Sequence, residues 1–177
     1  MTTVNSIPKP SSNLKIKFVE LTAKTMLWRV HPKRFGPIQF NDSGAGNARF
    51  SPIYDSTGKI IPTIYAANSL EASLMETVFH DVATSSGLKI FDSSKFDLMA
   101  HCLITNNSKL KLAALHGAAL RGLGITERDL IHSPAADYKD TREWAMAIHA
   151  QQPDVQGMVW TSKQCSPELA YVFFGDR

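Results

Sequence analysis

The 177-residue sequence holds only two cysteines, Cys102 and Cys165, in no C-x-x-C pair and no His/Cys cluster with metal-ligand spacing. A disulfide framework and a structural zinc site are therefore not expected, no metal is called for, and two unpaired thiols fit a reducing compartment. Long hydrophobic runs are missing too. The first 13 residues contain Thr, Ser, Asn, Pro8 and Pro10 but no apolar stretch of the secretory kind, and nothing later could span a bilayer. The expectation is a cytoplasmic chain, without a membrane role, whose residues 1–13 form a flexible lead-in to one domain over 14–177. A strong charge excess is also lacking: 19 basic against 16 acidic residues leave a formal charge of +3. That suits an anionic small molecule or an acidic partner protein, and with aromatics not interleaved among Lys and Arg it does not suggest direct nucleic-acid binding.

A hydrophobic content of 44% and a charged content of 20% are those of an ordinary globular domain. Residues 25–30 read as a strand whose alternation sets Met26, Trp28 and Val30 on one face and Leu27 and Arg29 on the other. Residues 40–52 form a loop around Gly44 and Gly46, but no Gly-Lys-Ser/Thr follows and no strand, G-x-G-x-x-G and helix succeed one another, so neither a P-loop nor a dinucleotide fingerprint is present. A strand over 60–67 leads to Asn68 or Ser69 as helix cap, with a helix to about His80. Helical spacing assigns Leu70, Leu74, Thr77 and Val78 to the core and sets Ser69, Ala72, Ser73, Glu76 and His80 on another face, where small neighbours leave Glu76 approachable. Further strands are expected over 88–91, 96–105 and 110–115. A short helix over 116–123 stops at Gly124, and 125–136 is a loop with a helical turn. Thr141 caps a helix over 142–151, and strands over 157–162 and 169–174 close the chain. Strands outnumber helices without regular alternation, which is the pattern of an α+β fold.

Several short motifs occur in order: Trp28-Arg29-Val30, Gly46-Asn-Ala-Arg49-Phe-Ser-Pro52, Ile64-Tyr65-Ala-Ala67, Met75-Glu76-Thr-Val-Phe-His80, Tyr138, Trp144-Ala-Met-Ala147, Asp154-Val-Gln-Gly157-Met-Val-Trp-Thr-Ser162 and Val172-Phe-Phe-Gly-Asp-Arg177. From about Leu21 onward this series resembles the RES domain family, named for its Arg, Glu and Ser. The sequence departs from the family pattern around Arg49, where Ala48 and Phe50-Ser51 replace the usual Gly before and Trp-Asn after the arginine.

The resemblance implies a fold similar to that of ADP-ribosyltransferase toxins, with a cleft between two sets of strands, and a toxin that degrades NAD+. Inorganic phosphate or water would be the acceptor, and a neutralising antitoxin or immunity protein would be the partner. No cofactor is implied beyond NAD+ as substrate. Arg29, Arg49, Tyr65, Glu76 and Ser162 match the family's site positions. Cleavage of the nicotinamide–ribose bond builds oxocarbenium-like charge, which the Glu76 carboxylate could stabilise, or Glu76 could instead hold a ribose hydroxyl. Arg29 and Arg49 are both suited to the diphosphate or an incoming phosphate, in an order left open. Tyr65 could stack on nicotinamide or adenine, and Ser162 could hydrogen-bond ribose or phosphate. The competing readings are an ADP-ribosyltransferase acting on a protein or small acceptor, an inactive RES-like binding module and a nucleic-acid binder. A homo-oligomer is compatible with the sequence.

Overall fold

The computed structural model describes residues 7–80 and 92–177. Its fold is α+β. A mixed seven-stranded sheet is ordered β1 (Phe18–Leu21), β7 (Leu110–Ala114), β8 (Gly157–Thr161), β9 (Leu169–Phe174), β5 (Thr63–Ala67), β2 (Met26–Pro32) and β6 (Met99–Thr105). The strands β3 (Ile53–Tyr54) and β4 (Ile60–Ile61) pair apart from it. All its neighbours run antiparallel except β7 and β8. That parallel pair needs a long crossover, which carries α3 (Ala118–Leu123), α4 (Glu127–Leu130), a 3-10 turn (Ala135–Asp137) and α5 (Tyr138–Gln151). The remaining helices among the described residues are α1 (Leu70–Thr77) and α2 (Ser94–Asp97).

The central strands are apolar almost throughout because both sheet faces are covered. One face of β8 and β9 sends Met158, Trp160, Ala170, Val172 and Phe174 into a core with Phe50, Leu115, Leu120, Leu130, Trp144 and Ile148. The other sends Val159, Tyr171 and Phe173 into a second cluster with Leu21, Leu27, Ile64, Ala66 and Leu112. Gly157 begins β8 with no side chain because the carbonyl oxygen of Val172 lies 2.2 Å from where a Cβ would sit. Gly124 ends α3 in the left-handed conformation, φ 74°, that glycine adopts without a steric penalty.

The strands expected over 60–67, 110–115, 157–162 and 169–174 are present, the first divided at Pro62 into β4 and β5. The strand expected over 88–91 lies outside the described residues. Phe96 and Asp97 belong to the turn of α2, so the strand expected from 96 begins at Met99. Thr141 is not a cap: α5 begins three residues earlier, and the Thr141 hydroxyl, fully buried, donates to the carbonyls of Arg49 and Tyr138. A threonine bonded back to its own helix looks like a capping residue in sequence.

Residues 7–13 lie along α5. Ile7 is buried, the Trp144 indole donates to Pro8 O at 2.8 Å, and the Gln151 side chain bonds both Ser11 O and the Leu14 N–H. Lys9 reaches Asp140 and Glu143 on the same helix.

Candidate active site

The site begins where the sheet loosens. β2 and β5 pair at Trp28↔Ala67 alone, whereas β2 pairs with β6 along seven residues. Beyond Trp28 the inner edge of β2 is met by α1 instead of a strand. The Val30 N–H donates to Ser73 Oγ at 2.9 Å, and Thr77 Oγ1 donates to Val30 O at 3.5 Å. Strand backbone left without a ladder partner must find another one, and helical side chains supply it. This corrects the expected helix faces. Ala72 and Ser73 are the buried residues of α1, while Leu70 and Leu74 are only half-buried. Close approach of the helix to a strand favours small side chains at the contact. Ser69 caps α1 as expected, accepting from the Ala72 N–H at 3.1 Å.

Packed in this way, α1 presents Glu76 to the end of β8. Ser162, 1% exposed, donates from Oγ to Glu76 Oε1 at 2.7 Å. The loop after β8 is tied to the same helix end, since the Gln164 amide donates to Phe79 O and His80 O. Ser162 itself is fixed through its N–H to Glu168 O at 2.8 Å. The pair therefore holds a half-buried carboxylate in one orientation with a hydroxyl donor.

Tyr65 stands on β5, on the face shared with Trp160 and Phe50. Its ring lies edge-on to Trp160 at 6.2 Å, and its hydroxyl accepts from the Phe50 N–H at 3.2 Å. Burial pushes its phenol up to about 12. Ser51, the Phe50 N–H and the Arg49 charge work against that rise, and the Glu76 carboxylate adds to it. The phenol is thus within electrostatic reach of both Arg49 and Glu76, and it stays protonated at neutral pH.

Arg49 is buried, with 7% exposed. Its Nη1 donates to Ser133 Oγ at 2.9 Å and to Ser133 O at 3.2 Å, and its guanidinium lies 5.0 Å from the centre of the Tyr138 ring. Among the described residues no carboxylate pairs with it. Carbonyl dipoles and an aromatic face hold this cation, so an anion brought to it would meet uncompensated positive charge.

The sequence grouped Arg29 with these residues, and the structure does not bring it to them. The register sets Arg29 on the sheet face opposite Tyr65, across from Cys102 on β6. Both terminal nitrogens are engaged, Nη1 with Pro37 O and Nη2 with Gln39 O, each at 2.9 Å. Burial lowers its pKa from the usual arginine value. Sequence reasoning missed the supports of Arg49, namely Ser133, Tyr138 and Thr141. Tyr138 stood among the ordered motifs, which was a usable signal, but Ser133 is 84 residues from Arg49 and carries none.

Neither cysteine is activated. Burial raises both thiols, and the acidic groups Glu168, Glu71 and Glu76 raise Cys165 further. Among the described residues no group of three or more His, Cys, Asp or Glu side chains could hold a metal ion, and no helix is long and apolar enough to cross a membrane.

Residues 26–177 match the model of the RES domain, and the chain belongs to that family. The membership is consistent with a toxin-like, NAD-related role. Comparison with curated proteins finds no match, and comparison with solved structures finds none either.

Proposed function

We propose that the protein is an enzyme that cleaves the nicotinamide–ribose bond of NAD+, passing the ADP-ribosyl group to inorganic phosphate or to water. The observation that carries this reading is the Ser162–Glu76 hydrogen bond at 2.7 Å, set beside Tyr65 and a buried Arg49 that has no carboxylate partner among the described residues. Membership of the RES domain family supports it.

In this reading Glu76 stabilises the positive charge that develops on the ribose as neutral nicotinamide departs, so no strong general acid is needed. Ser162 keeps one carboxylate oxygen occupied and the other turned to the substrate. Arg49 receives the diphosphate or the incoming phosphate, and its planar fork suits either. The protonated Tyr65 supplies a wall against which a flat ring can stack. Arg29 is assigned a different task from Arg49: it fixes the segment 37–39 through two carbonyls. Toxicity would follow from loss of the NAD+ pool in the cytoplasm, and a neutralising protein would act by covering the approach to Glu76 and Ser162.

The test is NAD+ loss and product mass with purified protein, with and without phosphate. Loss that requires phosphate, yielding phosphorylated ADP-ribose, identifies a phosphorylase, and loss without it, yielding ADP-ribose, identifies a glycohydrolase. Intact NAD+ under both conditions, with the chain folded, overturns the proposal. Label from NAD+ appearing on a protein acceptor would make it a transferase.

A further inference from the structure

The sheet has two edges, and they are built differently. The β1 edge is four residues long and is guarded by charge: Glu20 pairs with Lys109 at 2.8 Å, and the Lys111 ammonium covers the Phe18 ring at 4.0 Å. Short, charged edges resist pairing with another chain. The β6 edge is seven residues, Met-Ala-His-Cys-Leu-Ile-Thr, without one Lys, Arg, Asp or Glu. The bond from Lys33 N to Leu98 O fixes the phase of its ladder with β2. Leu98, Ala100, Cys102 and Ile104 therefore turn their backbone groups to β2, and Met99, His101, Leu103 and Thr105 turn theirs outward. Among the described residues none of these four has a backbone partner on the outer side. The side chains of the same four share a face with Met26 and Trp28, where Met26 is 65% and Leu103 49% exposed.

The geometry points to a second copy of this chain as the occupant of that edge, paired antiparallel β6 to β6 about a two-fold axis at Cys102. This register uses the whole strand. Met99 lies opposite Thr105 of the second copy, His101 opposite its Leu103, and every outward N–H and C=O gains a ladder partner. No like charges oppose one another, because the strand has none. At the strand ends charges are complementary: the Asp97 end of one copy comes up to the end of the other where the Lys24 ammonium contacts Asn107. The exposed Leu103 side chain is covered by the imidazole of the facing His101, and the Met26 side chains extend the apolar stripe. The two Cys102 residues then form a non-hydrogen-bonded pair with Cα atoms about 4.5 Å apart, within the range a disulfide spans.

The experiment is light-scattering mass across the micromolar range, with cross-linking of the Cys165→Ser chain by the thiol oxidant diamide. The expected result is a concentration-dependent mass of twice 19.5 kDa and a disulfide-linked dimer that Cys102→Ser abolishes. Leu103→Lys, a change at an exposed position, should weaken the dimer at least tenfold while circular dichroism stays native. A chain that remains monomeric overturns the inference. So does a dimer that keeps its affinity in Leu103→Lys and forms no Cys102 bridge.

Discussion

Replacing Ser162 with alanine removes one hydroxyl from a fully buried position and leaves Glu76 with a carboxylate oxygen that has lost its 2.7 Å donor. A hydrogen bond to a charged group contributes about 1.5–3 kcal/mol. Each 1.4 kcal/mol corresponds to a tenfold change in rate, so Ser162→Ala should lower kcat/KM for NAD+ roughly 10- to 150-fold. On the proposed mechanism the loss should fall mainly on kcat, since the hydroxyl would orient a group that works on the developing charge. The informative assay is a double-mutant cycle with Glu76→Gln, following NAD+ loss at saturating and limiting substrate. If Ser162 acts through Glu76, adding Ser162→Ala to Glu76→Gln should change the rate little beyond the single variant. Full additivity would mean that Ser162 contacts the substrate independently. A Ser162→Ala protein retaining more than half its activity would refute the reasoning about the pair.

Arg29→Lys removes the fork that holds Pro37 O and Gln39 O and should cost about 2–4 kcal/mol of stability; unchanged thermal stability together with lost turnover would return Arg29 to the catalytic groups. Gly157→Ala sets a Cβ against the Val172 carbonyl, which no rotamer change relieves, so thermal unfolding should show a loss of about 1–3 kcal/mol, and a neutral result would mean that β8 shifts freely. His149 is held below its ordinary pKa first by burial and then by the Arg177 charge, with Asp176 opposing them. Because the unfolded chain protonates this histidine more readily, its contribution to stability is complete above a pH of about 6.5 and is lost as pH falls through the folded value. Denaturant titrations across that window should show a drop that His149→Gln reduces, and an equal drop in the variant would assign the effect to other groups.

Much of the fold was legible because the central strands carry their own signal. The runs in β8 and β9 are apolar on both faces, which leaves only a buried strand as a reading, and the stop at Gly124 is written in one residue. The edges were harder. β1 is four residues with two exposed positions, too little for a period-2 pattern to stand out, and Phe96 is apolar in a turn. The site divides in the same way. Glu76, Ser162, Tyr65 and Arg49 stood in ordered motifs and do converge. Arg29 stood in one too, and the alternation that put it away from Trp28 already separated it from Tyr65, because Trp28 faces Ala67 and Tyr65 shares that face. The sequence could not reveal that its guanidinium ends on two carbonyls.

The break between β2 and β5 explains how α1 can bring Glu76 to Ser162. A continuous ladder would have satisfied Val30 by strand pairing and left α1 lying across a closed face. Instead Ser73 and Thr77 take up the Val30 backbone, and one turn of helix separates them from each other as it separates Ser73 from Glu76. The spacing that fastens α1 to the open edge of β2 therefore also sets the carboxylate at the height of Ser162. Ser73→Ala tests this coupling. It removes the acceptor of a buried N–H, and if α1 is positioned by that contact, the variant should lose activity through Glu76 while remaining folded. Loss of stability with full specific activity in the folded fraction would show that Glu76 is held by Ser162 and the Gln164 loop alone.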